Sequence, residues 1–78
     1  MQKKILEILE DVSEDILAYE GASMITDGII DSFDLLELVE DLENTFDIEI
    51  DAEYLTEKNF GSKESIVGLM QRLINQKS

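Results

Sequence analysis

Three separated stretches of this 78-residue chain carry apolar residues at steps of three and four, and that spacing limits the folds open to it more than any other feature. Ile5, Ile8, Leu9, Val12 and Ile16 form the first set, with Glu7, Glu10, Asp11 and Glu14 between them. Such a pattern predicts an amphipathic helix from Gln2 to about Leu17. The second set is Leu35, Leu38, Val39, Leu42 and Phe46; it follows Asp31 and Ser32, either of which can cap a helix running to about Thr45. The third, Ile66, Leu69, Met70 and Leu73, predicts a helix over Lys63 to about Asn75, capped by Ser62. Glu64 near its start and Arg72 near its end suit the helix dipole.

The segments between these helices are less regular. Ala18 to Asp31 is a connection of 14 residues, long for a loop without structure of its own, which predicts an ordered segment pinned by Met24, Ile25 and Ile29 or Ile30. Gly28 within it supplies a conformation that other residues adopt less readily. Ile48 and Ile50 alternate with acids as in a strand, but so short a run lacks a partner strand and reads as an extended connector. Asp51 can cap a short helical turn through about Thr56 that buries Tyr54 or Leu55, with Phe60 as the next anchor. The expected fold is therefore all-α: one domain over residues 1–78, a small bundle of three main helices plus one short helix, with a long first loop. A chain of this length buries only about 60% of its unfolded surface. With no cysteine to form disulfides, the bundle must stand on packing alone.

Charge narrows the range of partners. Nineteen acids against six bases give a net charge of −13, and no basic residue occurs between Ile5 and Glu57. Phosphate backbones and anionic membranes would repel such a surface, so basic protein surfaces are the expected partners and nucleic acid is not. The first apolar stretch is broken by acids too early for a secretory leader, and no run is long enough to span a bilayer. The expectation is a cytoplasmic monomer. Asp47, Glu49 and Asp51 have the opening spacing of a calcium loop, but Ala52 stands where its glycine belongs and Lys58 where its bidentate glutamate belongs, so no metal site is expected.

Ser32 is the residue best placed for chemistry, at the junction of the glycine-containing loop and the second amphipathic stretch. A serine nucleophile needs a base, and the chain has no histidine and no cysteine. That points to a serine that is modified, not one that catalyses. The stretch DGIIDSFDLLELVEDLENTFDIEID, Asp27 to Asp51, resembles the core of the acyl and peptidyl carrier proteins, in which an Asp-Ser pair opens the second helix. The likeness continues through Glu37, Leu38, Leu42, Glu43 and Phe46 to the pair Ile48 and Ile50, and the helix order extends it over the whole chain.

The resemblance implies that Ser32 receives 4'-phosphopantetheine from coenzyme A, and that the arm's terminal thiol holds an acyl or aminoacyl group as a thioester. No protein thiol, imidazole or metal is then needed. It implies a phosphopantetheinyl transferase as partner, with Asp31 supporting the modification; a helix-capping carboxylate is the alternative role for Asp31. Phe33 stands where many members of the family have leucine, and phenylalanine there resembles stand-alone carriers of D-alanine or other amino acids. It would contact the arm or a partner's pocket, or else pack on the loop. Asp34, Glu37, Glu40 and Asp41 would dock basic-surfaced enzymes such as an adenylating ligase or acyltransferase. Together with Glu43, these acids make four like-charge pairs at helical spacing, which cost about 1 to 2 kcal/mol in all. The first helix has five such pairs, so acid density alone does not locate a docking face. The alternative for each acid is a solvated surface. The implied pathway is amino-acid loading or specialised acyl transfer, with fatty-acid synthesis as the alternative; a non-covalent acidic adaptor is the rival from another class.

Overall fold

The first helix, α1, spans Gln2–Val12 in a computed structural model that describes residues 2–77. It buries Ile5, Ile8 and Leu9, the face its spacing predicts. It does not continue to Leu17. The Ser13 N–H closes a last bond to the Leu9 carbonyl, then the ladder shortens and the Ile16 N–H reaches only back to the Ser13 carbonyl, at 3.1 Å. A separate turn, α2 (Asp15–Ala18), follows. The break places Asp15 in the first turn of α2, where a carboxylate suits the dipole, but leaves Glu10 and Asp11 in the last turn of α1, where they oppose it, so charge does not account for the break. Ile16 still reaches the core and is fully buried.

The long connection is ordered, as its apolar residues require. Met24 and Ile30 are buried, and Ile25 and Ile29 half-buried. The Ile29 N–H bonds to the Met24 carbonyl at 2.9 Å and the Asp27 N–H to the Ser23 carbonyl at 3.0 Å, folding residues 23–29 into a turn. Gly28 takes φ +76°, the left-handed conformation that glycine adopts without strain. The Tyr19 hydroxyl accepts the Ser23 N–H at 2.7 Å and donates to the Asp27 carboxylate, tying both ends of the turn.

The second long helix, α3, spans Ser32–Phe46 and buries Leu38, Val39 and Leu42. Asp47 ends it in the left-handed region, φ 53°, and the Ile48 N–H returns to the Glu43 carbonyl. Asp is among the few residues that tolerate this conformation. Residues 48–51 form neither helix nor strand; Ile50 is buried, and its N–H is held at 2.7 Å by the Glu43 carboxylate.

The short helical turn after Asp51 is present as a 3-10 turn at Ala52–Tyr54, and a second piece follows it, a four-residue helix, α4, at Glu57–Phe60. Tyr54 and Leu55 are half-buried, whereas Phe60, at the end of α4, is fully buried. Ser62 caps the last helix, α5 (Lys63–Lys77), accepting the Ser65 N–H at 3.2 Å. Ile66, Leu69, Met70 and Leu73 face inward as expected, joined by Val67. Helix α1 packs against α3 and α5, and α4 against α5. Lys63 adds a link between distant segments, its Nζ donating to the Leu17 carbonyl at 2.6 Å. The architecture is the expected all-α bundle with three long helices.

Candidate functional site

Ser32 is the first residue of α3, and it is exposed. Asp31 precedes it with extended backbone and caps the helix: its Oδ1 accepts the Asp34 N–H at 2.9 Å. Asp34 reciprocates, its Oδ2 accepting the Asp31 N–H at 3.3 Å, so the two acids form a capping box in which aspartate replaces the more usual glutamate. The Leu35 N–H bonds to the Asp31 carbonyl at 3.0 Å. The amides of Ser32 and Phe33 are left outside both the cap and the helical ladder, at the positive end of a 15-residue helix.

A groove of about 320 Å³ opens beside the hydroxyl, lined by Ile25, Gly28, Ile30, Asp31, Ser32 and Leu35. The preceding loop supplies one wall and the first turn of α3 the other. Gly28 contributes bare backbone there, with nothing near the place a Cβ would occupy. Asp31 is the ionisable group of the lining, and its carboxylate already holds the helix cap. No amine or imidazole lines the groove to take a proton from Ser32.

Beyond Ser32, the outward face of α3 carries Phe33 at 83% exposure and Leu36 at 57%, large apolar side chains left in water. Glu37 and Glu40 are exposed on the same face and Asp41 is half-buried at its edge. Residues 33, 36, 37 and 40 share one side of a helix by their spacing. Phe33 does not pack on the loop. The site residues legible from sequence thus fall into two groups. Ser32 and Asp31 line the groove; Phe33, Glu37 and Glu40 lie along the exposed face. Asp34 is half-buried and serves the cap, a role its position three residues after Asp31 could have signalled. Leu36 was missed, although it is an apolar residue off the buried stripe and that alone could have marked it.

Two further acids have defined roles in the fold. Glu43 is bound to the Ile50 amide, so it is not part of the free acidic face. Asp27 accepts from the Tyr19 hydroxyl; partial burial, then this hydrogen bond, hold the Tyr19 phenol above its usual value. No family model, curated protein or solved structure matches this chain. Among the described residues, no helix is long and apolar enough to cross a membrane.

Proposed function

We propose that this protein is a phosphopantetheine-dependent carrier working in the cytoplasm, modified on Ser32 and shuttling an acyl or aminoacyl thioester between enzymes. The observation that carries the reading is the setting of Ser32: an exposed hydroxyl at a capped helix start, beside a partly apolar groove and next to an exposed apolar and acidic face. Each part has a use in this reading. In the transfer, Ser32 Oγ bonds to the pantetheine-side phosphorus as the pyrophosphate P–O bond of coenzyme A breaks; the serine proton passes to a base of the transferase, and adenosine 3',5'-bisphosphate departs. The resulting phosphodiester sits where the Ser32 and Phe33 amides and the dipole favour an anion by about 0.3 to 1 kcal/mol.

Ile25 and Leu35 offer apolar surface to the arm, and the Gly28 backbone lets it approach closely. The arm supplies the thiol that carries cargo. Phe33 and Leu36 are suited to an apolar pocket on a partner, with Glu37 and Glu40 steering basic rims towards it. Acids of this kind raise the rate of encounter more than the final affinity.

The test is intact mass after incubation with coenzyme A and a permissive phosphopantetheinyl transferase. The expected result is a gain of one phosphopantetheine, absent in Ser32→Ala. A chain that stays unmodified, or an equal gain in Ser32→Ala, overturns the proposal.

A further inference from the structure

The wall of the Ser32 groove belongs to a loop, and that loop is held from outside. Ile25, Gly28 and Ile30 line the groove, and the turn that carries them is fastened to the α4 region at two points. The Met24 N–H donates to the Gly61 carbonyl at 2.8 Å, and the Thr26 hydroxyl donates to the Glu57 carboxylate. The first bond is fixed by packing: Met24 is fully buried, and Gly61 is placed so that a Cβ would meet the Glu57 carbonyl oxygen at 2.4 Å. Since the obstacle is backbone, no side-chain movement relieves it. Phe60, fully buried beside Gly61, anchors the turn from below. The second bond is exposed and ties the loop to the first residue of α4.

We infer that α4 is a clamp that sets the shape of the Ser32 groove, with Glu57 and Gly61 as positioning residues acting through the loop. The inference rests on Ser32 being the modified residue only for its effect on modification; the mechanical coupling stands apart from it. The Tyr19 bonds to Ser23 and Asp27 close the turn on itself, and the clamp fixes where the closed turn sits relative to α3. Loosening the clamp moves Ile25, Gly28 and Ile30 away from Ser32 without touching the helix that carries Ser32.

The experiment compares wild type with Thr26→Val, Glu57→Ala and Glu57→Gln, using amide hydrogen exchange, amide chemical shifts and transferase kinetics. Thr26→Val and Glu57→Ala remove one hydrogen bond, so exchange at the Asp27, Gly28 and Ile29 amides is expected to quicken roughly two- to tenfold. The Leu42 amide, deep in α3, should keep its protection. Ser32 and Leu35 amide resonances should shift, and kcat/KM for modification should fall by a similar factor, carried by KM. Glu57→Gln keeps an acceptor oxygen and should restore wild-type behaviour in every readout. Unchanged loop exchange overturns the clamp. So does a loosened loop that leaves the Ser32 and Leu35 resonances in place, or a Glu57→Gln variant as loose as Glu57→Ala. If wild type itself is never modified, the carrier reading fails, and exchange and chemical shifts still decide the clamp.

Discussion

Replacing Asp31 separates two roles that the structure superimposes on one carboxylate. Its Oδ1 caps α3 through the Asp34 N–H at 2.9 Å, and the side chain stands next to Ser32 in the groove. Asp31→Ala removes the side-chain acceptor of the Asp34 N–H, while the Asp34 carboxylate keeps its bond to the backbone N–H of residue 31. Losing an N-cap costs about 1 kcal/mol, within a range of roughly 0.5 to 2. In a domain of this size, 1 kcal/mol corresponds to a fall in Tm of about 4 to 8 °C. Asp31→Asn keeps an oxygen at the capping position and loses only the charge, so its stability should stay within about 0.5 kcal/mol of wild type. Thermal unfolding followed by circular dichroism at neutral pH measures both, and the same samples enter the transferase assay. The carrier reading expects Asp31→Asn to fold normally and yet be modified more slowly, because the transferase needs the charge. Equal destabilisation by Ala and Asn would refute the capping argument. An Asn variant modified at the wild-type rate would leave Asp31 with the cap alone.

Gly28→Ala should cost about 1 kcal/mol in urea unfolding, because φ +76° strains any side chain although space for it is open; Gly28→Asn should cost less, and equal costs would point to a steric cause instead. Glu43→Ala leaves the Ile50 N–H without its acceptor and should destabilise by about 1 to 3 kcal/mol, whereas Glu40→Ala relieves like-charge pairs and should stabilise by a few tenths. Urea midpoints shifting in the same direction for both would contradict this division of the acids. The Tyr19 phenol is raised by partial burial and by its bond to Asp27, so the folded chain holds that proton more tightly than the unfolded chain, whose tyrosines titrate near 10. Its stabilising contribution is complete below about pH 10 and lost as pH rises through the folded value. Denaturant midpoints across that range should fall more steeply for wild type than for Tyr19→Phe, and parallel curves would remove the linkage.

The three long helices could be read from the sequence because each buries one continuous stripe, and burial is what their spacing encodes. The break after Val12 could not, because Ile16 fits the stripe of a single long helix as well as it fits a separate turn. Where the hydrogen-bond ladder shortens, at Ser13 to Ile16, is something apolar periodicity does not register. The short turn after Asp51 was placed correctly, and what the sequence did not show was the second short helix at Glu57–Phe60. Asp51 has the chemistry of a cap but makes no capping bond, and full burial of Phe60 fixes the later turn. At the site, Ser32, Asp31 and Gly28 were legible from local backbone rules. The fastening of Thr26 to Glu57 was not, since 31 positions separate them and neither residue belongs to a pattern. Glu43 shows the opposite limit: among so many acids, only coordinates distinguish the one bound to a backbone amide.

Helical side chains lean towards the N-terminus of their helix, and Ser32 is the first residue of α3. Anything joined to its oxygen therefore leaves backwards, over the loop, while Phe33, Leu36, Glu37 and Glu40 run forward along the helix. On the proposed carrier reading, grip and payload would point in opposite directions from one pivot. The forward face, eight residues from Phe33 to Glu40, runs along about 10 Å of helix axis and would leave a group on Ser32 uncovered by whatever binds it. On the same proposed reading, successive partners would use one handle while each works on a load it does not have to release.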